Sequence, residues 1–461
     1  MYDAIIIGAG MSGLAAGIRL ALFEKRVAIL ERHAVPGGLN SFYRLRGRDY
    51  DVGLHAVTNF RPKGSRQGPL VRLLRQLRLR WDDLGLAPQA GSSIVFPGAR
   101  LDFSNDFDLL RSEVGRHFPR QSDNLERLVA HLAGYGELAE PAAQCPAREV
   151  VGRFLDDPLL VEMLFCPLLF YGAAHEGDMP FGQFSVLFRS IYLEGLGRPR
   201  EGIRRILAAL GEKFRQLGGE LRLRAGVERI VVRDGRAEGV VLDDGSTLGA
   251  RFVLSSAGWR ETMRLCGERQ LADQRPAGRM SFVESISVLD RQPKDLGFDR
   301  TTIFFCDSER LPYCRPEGLA EPRCGLVCSP NNFLYDEPLG EGILRIAVPA
   351  NYDRWAALGP EAYRREKGRW HDAMIAAAAR FVPGLPQAAV DHDTFTPVTI
   401  RRFTGHDEGA VYGIPEKQYD GATHLENLFL CGADQGLVGI VGAAISGIAM
   451  ANRHVLGRDE G

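Results

Sequence analysis

The first thirty residues constrain the fold more than any other part of the chain. Residues 3–7 are a short apolar run of the length of a buried strand. Gly8-Ala9-Gly10-Met11-Ser12-Gly13 follows, a G-x-G-x-x-G. Residues 12–25 then carry Ala, Leu and Ile on one helical face, and residues 27–30 form a second strand ending in Glu31. Strand, glycine turn, helix and strand make the βαβ unit of a parallel sheet. In that setting each glycine has a physical purpose. Gly8 permits the tight turn, Gly10 lets a pyrophosphate approach the backbone, and Gly13 lets the helix pack closely on the strand. The helix N-terminus, at Met11 and Ser12, offers unpaired N–H groups and a partial positive charge to an anion. Glu31, followed by Arg32, stands about 20 residues on, where an acid takes the adenosine ribose hydroxyls and disfavours a 2′-phosphate. A bound dinucleotide is predicted.

This turn does not separate NAD from FAD, but two further segments do. Directly after Glu31-Arg32 the chain reads Val35-Pro36-Gly37-Gly38-Leu39-Asn40-Ser41. Near the C-terminus, residues 428–434 read as a strand ending in Gly432-Ala433-Asp434. A glycine-rich helix start follows, with Gly439-Ile440-Val441-Gly442 at its head. A second helix N-terminus of this kind presents N–H groups to the electron-rich edge of a flavin. Nicotinamide dehydrogenases usually lack such a return of the C-terminus, so FAD is the expected cofactor.

At 461 residues the chain is too long for one ordinary core and predicts two domains, or three. A formal net charge of -1 gives no hint of nucleic-acid binding. The 8 Cys are scattered, and the pair Cys324 and Cys328 lacks companions at zinc-like spacing. No metal site is predicted, and the thiols read as reduced in a cytoplasmic protein. The N-terminus enters a strand at once and lacks the basic region of a signal peptide, and no window approaches 18 uninterrupted apolar residues. Residues 125–138 and 147–171 look helical, and 203–217 form an amphipathic helix stopped by Gly218-Gly219. Strands over 227–233, 237–242 and 246–254 are separated by Asp234-Gly235 and Asp244-Gly245, strong hairpin signals. Residues 278–400 mix strands with a helix near 361–380, and the chain closes with a strand over 427–431 and a helix to about residue 455.

With these segments in place the chain resembles the FAD-dependent amine oxidase and phytoene desaturase superfamily. It is most similar to the branch of carotenoid desaturases, carotenoid isomerases and retinol saturases. The resemblance covers the first 60 residues, roughly 200–258 and the last 60, and is loose between them. It implies an α/β protein with a discontinuous Rossmann-type, glutathione-reductase-like FAD-binding domain at 1–60, 201–262 and 421–461. A mixed α+β substrate domain would then take 61–200, expected to be helical, and 263–420. Gly8, Gly10, Ser12 and Gly13 match the pyrophosphate turn, Glu31 the ribose acid, and Gly37, Gly38 and Ser41 the second glycine motif. Asp51-Val52-Gly53-Leu54-His55 resembles the segment beside the flavin ring, and Val227 the residue whose backbone meets adenine. Asp434 matches the acid near the ribityl and phosphate groups, and Gly439, Ile440, Val441 and Gly442 the helix start at the pyrimidine edge. Many relatives carry Arg where Leu39 stands, a departure that fits the isomerase and saturase branch better than the amine oxidases. Residues 396–413 also look like that isoprenoid group.

The resemblance implies desaturation, saturation or cis–trans isomerisation at a carbon–carbon double bond of a lipophilic polyisoprenoid. It leaves quinone, oxygen or a reductase as electron partner. Two alternatives stay open: a same-fold oxidoreductase for an amine or a natural product, and a non-catalytic FAD-binding escort protein. His55 is the candidate catalytic residue, either as a general acid or base or as a ring that orients the flavin. His406, Asp407 and Glu408 are loop candidates or solvated charge. Residues 61–81 carry Arg61, Lys63, Arg66, Arg72, Arg75, Arg78 and Arg80 beside a Leu stripe, which reads either as a basic amphipathic helix on an anionic membrane surface at the cytoplasmic face or as an ordinary surface helix packed on its own domain. The apolar run 158–171 reads equally as a lipophilic tunnel wall or as domain core.

Overall fold

The N-terminal apolar run forms the centre of a parallel sheet in the computed structural model, which describes residues 1–134 and 144–458. Tyr2–Ile7 lies between Val27–Glu31 and Thr247–Ser255, parallel to both. Glu220–Leu223 extends the sheet on one side and Leu428–Leu430 on the other, again parallel. The strand Tyr2–Ile7 is covered on both faces, with Ala4 and Ile6 in one core cluster and Ile5 and Ile7 in another. That two-sided burial is why it reads as an unbroken apolar run with no alternation. The hairpin strands Val227–Arg233 and Arg236–Leu242 attach antiparallel. Asp234 and Gly235 both take positive φ at their turn, the conformation that an Asp-Gly pair favours.

The helix Met11–Ala21 and the closing helix Gly439–Met450 pack against each other on this sheet. Their approach needs a glycine, because a Cβ on Gly447 would lie 2.0 Å from the Ser12 carbonyl oxygen. The expected helix at 125–138 forms as Ser122–Leu132, and residues 135–138 lie outside the described residues.

A second seven-stranded sheet takes the order Ala389–Phe395, Ser281–Leu289, Gly342–Ala350, Cys324–Cys328, Thr302–Cys306, Ser92–Phe96, Ala99–Phe103. One face carries Ile94, Phe304, Leu326 and Ala347 into a core shared with the helix Pro158–Gly172. The other packs on the helix Pro360–Ala378 through Met374, Ile375 and Ala378.

Two expectations for residues 61–200 change. The stretch is not purely helical: Ser92–Phe96 and Ala99–Phe103 join the second sheet, pairing across Ala99 to Phe103 in a hairpin. The basic helix is also shorter, Pro69–Leu77, and Leu70, Leu73, Leu74 and Leu77 are buried in the same core as the two helices of the first sheet. Its Leu stripe is therefore consumed by the protein's own interior. Arg72, Arg75 and Arg78 remain exposed on the outer face.

Candidate active site

A cavity of about 540 Å³ is lined from both sheets. Its wall includes Gly8, Gly10, Met11, Ser12, Glu31, Arg32, Gly37, Gly38, Leu39, Asn40 and Val227. The same wall includes Phe170, Tyr171, Phe282, Glu284, Leu326, Ala347 and Tyr412, together with His55, Gly439 and Ile440. Segments distant in sequence are gathered here because the parallel strands deliver their C-terminal ends, and the turns that follow them, to one edge of the sheet.

The glycine turn is built as its spacing requires. Gly8 has φ 93°, a conformation that a side chain rarely adopts. A Cβ on Gly13 would sit 2.1 Å from the Gly8 carbonyl oxygen, whereas one on Gly10 would meet nothing within 4 Å. Gly13 thus serves helix–strand packing and does not line the cavity, while Gly10 leaves open space for a ligand. Glu31 is buried, and its two oxygens accept from the N–H groups of Ala9 and His33, each at 2.9 Å. Gly37 has φ 121°, and its N–H donates to the Ala9 carbonyl at 2.8 Å, tying the second glycine motif to the first.

Four further predicted residues stand outside the cavity wall. Ser41 donates to the Pro36 carbonyl at 2.9 Å and braces the loop. Val441 is buried in the core, and Gly442 follows it in the closing helix. Asp434 is buried, and its carboxylate accepts from Trp259 N–H at 2.7 Å and Ile414 N–H at 2.8 Å. It therefore ties Trp259 and Ile414 together beside Gly432 and Ala433, which line the cavity. His406 does line the cavity, but Asp407 is paired with Arg260 and Arg264, and Glu408 with Arg315.

His55 sits in a network that the sequence reading missed. Its Nδ1 lies 3.1 Å from Cys328 Sγ and its Nε2 lies 3.4 Å from Glu284 Oε2. Glu284 accepts from Arg345 Nε at 2.5 Å. Arg345 also donates to the carbonyls of Val52 and Leu54, and Arg198 donates to Leu54 and pairs with Asp51. The segment 51–55 is thereby clamped by two buried arginines. Burial is the largest single effect and depresses the His55 imidazole, with Arg345 opposing the proton too, but the Glu284 carboxylate and Cys328 together outweigh them, so His55 is raised to about 9. Glu284 is held below the usual range against its own burial by Arg345 and His55. A sequence signal existed: one acid interrupts the apolar strand 281–289 and one base interrupts 342–350. Antiparallel pairing puts them on one face, with Glu284 opposite Ala347 and Ile286 opposite Arg345.

Around this network the wall is largely apolar and aromatic. Phe282 meets Tyr412 edge-on with ring centroids 6.1 Å apart, and the Tyr412 hydroxyl donates to the Phe170 carbonyl. Phe170 and Tyr171 reach the cavity, while Phe165 of the same helix packs on Phe184 in the core. The run 158–171 is thus wall at one end and core at the other.

A doubly glycine-lined dinucleotide site joined to an apolar chamber defines a flavin-dependent oxidoreductase. Residues 11–262 match the family of flavin containing amine oxidoreductases, and the chain belongs to that family. It is 24% identical to prolycopene isomerase 2 of an Oncidium hybrid cultivar, over 98% of this chain and 83% of that one. It is 25% identical to the lycopene-forming phytoene desaturase of Pseudescherichia vulneris, over 96% and 98% of the two chains. Among solved structures, an oxidoreductase from Methanosarcina mazei shares the fold with a TM-score of 0.68 at 18% identity, covering 98% of this chain and 100% of that one. The cofactor is FAD and the protein is an FAD-dependent oxidoreductase. Among the described residues, no helix is long and apolar enough to cross a membrane.

Proposed function

We propose that the enzyme acts on carbon–carbon bonds of a lipophilic polyisoprenoid of carotenoid or retinoid type, by desaturation, saturation or isomerisation. The observation that carries this reading is the chamber itself. Its wall is Phe170, Leu187, Phe282, Leu326, Ala347 and Phe395; of its polar side chains, Glu284 and the Tyr412 hydroxyl are engaged by the protein, and the Tyr171 hydroxyl is the one buried there without a hydrogen-bond partner among the described residues. Glu284 is compensated by Arg345 and His55, so it offers no free anion to a substrate ammonium. The Tyr412 hydroxyl is spent on Phe170. Such a lining suits hydrocarbon, since burying a polar substrate group without a partner costs several kcal/mol, about 2–7 by transfer scales.

The residues fit FAD. The open space at Gly10 and Gly439, where a Cβ would meet nothing within 4 Å, leaves two helix N-termini free to face anionic or electron-rich groups. Gly8, Gly10, Met11 and Ser12 would hold the pyrophosphate, Glu31 the ribose, and Val227 the adenine. Gly37, Gly38 and Asn40 would cover the pyrophosphate and ribityl chain, and Gly439 and Ile440 the pyrimidine edge. When bound, FAD supplies the hydride chemistry. The chain's own contribution is to seat the polyene in a dry chamber, exclude water through the aromatic wall, and fix the segment 51–55 through Arg345 and Arg198. Contact with an anionic membrane would run through the exposed Arg66, Arg72, Arg75 and Arg78. With the Leu stripe buried, that contact is electrostatic and not insertion.

The test is to offer the holoprotein carotene-type hydrocarbons, retinoids and amines in parallel and follow flavin reduction and product double bonds. A change confined to the isoprenoids is expected. Turnover of amines with none of isoprenoids would overturn the reading, and a flavin that no substrate and no reductant can reduce would point to an escort protein.

A further inference from the structure

The network around His55 has a charge balance that the apolar chamber does not need for packing. Arg345 and a protonated His55 carry two positive charges against the one carboxylate of Glu284. The Glu284 and Arg345 side chains are 6% and 2% exposed, and His55 is 16% exposed at the cavity wall. Replacing such groups by apolar residues often leaves stability unchanged or improves it, so a buried surplus charge calls for another explanation.

We propose that Glu284 is a positioning residue that keeps His55 as a fixed imidazolium in the chamber wall, and that His55 acts there through its charge and not as a proton donor to substrate. Both ring nitrogens already face protein atoms, Nδ1 the Cys328 sulfur at 3.1 Å and Nε2 the Glu284 carboxylate at 3.4 Å. A general acid needs an N–H within hydrogen-bond reach of the reacting atom, and neither is free to turn. Glu284 cannot swing away to release the ring, because Arg345 holds it. Arg345 is itself fixed by the Val52 and Leu54 carbonyls of the segment that carries His55.

The groups packed around the ring agree with a retained proton. Burial and Arg345 from Gly342–Ala350 oppose it, while Glu284 from Ser281–Leu289 and Cys328 from Cys324–Cys328 together favour it. The phenols of Tyr171 and Tyr412 are raised by burial and stay neutral, and Asp51 behind Leu54 is paired with Arg198. The balance leaves the imidazole raised to about 9. A positive charge in a low-dielectric, water-poor chamber stabilises negative charge that develops beside it. Flavin reduction brings such charge. The proposal rests on FAD and not on which lipid is the substrate, so it can fail while the substrate reading stands, and the reverse.

The experiment uses the FAD-loaded protein labelled with ¹³C-histidine, titrated by NMR, with the His55 signal assigned by its loss in His55→Gln. The His55 ring is expected to titrate well above the ordinary 6.5. Glu284→Gln should move that titration below the ordinary value, and Glu284→Asp should restore it in part. The flavin midpoint potential should become more negative in both His55→Gln and Glu284→Gln. In the wild type it should fall toward the His55→Gln value as pH rises through the His55 titration. A wild-type His55 that titrates at or below its ordinary value would overturn the proposal. So would an unchanged potential in His55→Gln, or an unchanged His55 titration in Glu284→Gln. If Glu284→Gln does not fold, the wild-type titration and the His55→Gln potential decide the matter between them.

Discussion

Removing the Glu31 carboxylate separates two duties that the structure gives to one side chain. Its oxygens accept from the N–H groups of Ala9, inside the glycine turn, and of His33, each at 2.9 Å, while the side chain also faces the cavity. Hydrogen bonds to a charged group contribute about 1.5–3 kcal/mol each, so Glu31→Ala forfeits at most about 3–6 kcal/mol within the protein. Water entering the cavity beside position 31 offsets part of that, leaving a loss of roughly 1–3 kcal/mol in apoprotein stability. The bonds that Glu31 is proposed to make to the ribose hydroxyls would be a separate loss of about 1–3 kcal/mol in FAD binding, or about 5- to 150-fold in Kd. Fluorescence titration of apoprotein with FAD measures the second effect, and urea unfolding of the apoprotein measures the first. Glu31→Gln keeps the volume but turns an NH₂ toward a backbone N–H, and should fall between wild type and Glu31→Ala. If Glu31→Ala loses stability yet binds FAD within about twofold of wild type, the acid serves only the turn and its ribose role is refuted.

Two further outcomes are expected. Vesicles with anionic lipid should retain the protein at low salt and release it at high salt, and replacing Arg72, Arg75 and Arg78 by Glu should abolish retention. Equal and weak binding to neutral and anionic vesicles would leave those arginines as a solvated face. His371 packs its ring on His392 at 3.7 Å, and its Nδ1 lies 2.6 Å from Ser285 Oγ. Burial, with His392 adding, lowers it from 6.5 to about 4. A folded-state value below the unfolded one gives stability that is present above pH 6.5 and lost as pH falls toward about 4. Urea midpoints of wild type and His371→Gln should therefore converge over that window, and a constant gap between them would refute the assignment.

The dinucleotide half was legible because its constraints are local. Gly8, Gly10 and Gly13 sit within six residues, and strand, turn and helix each announce themselves over a few neighbours. The hairpin turns were legible for the same reason. The short basic helix left two readings open because a Leu stripe beside arginines looks the same whether it faces lipid or the protein's own core. Only the helices Met11–Ala21 and Gly439–Met450 packed under Leu70 and Leu74 decide between them. Asp434 shows the same limit from the other side. Its place in Gly432-Ala433-Asp434 marks it for the cofactor, and only the structure shows that it also accepts from the N–H groups of Trp259 and Ile414.

By itself, then, the sequence determined the class of ligand, because anion binding at a helix N-terminus is written in a handful of adjacent residues. The surroundings of His55 were a different matter. Glu284, Cys328 and Arg345 lie between 229 and 290 positions further along the chain, on three strands whose register no local pattern sets. Only the pairing of those strands brings one acid, one thiol and one guanidinium against the ring. A protonation state in a buried site is set by neighbours in space, and the tertiary structure alone chooses them.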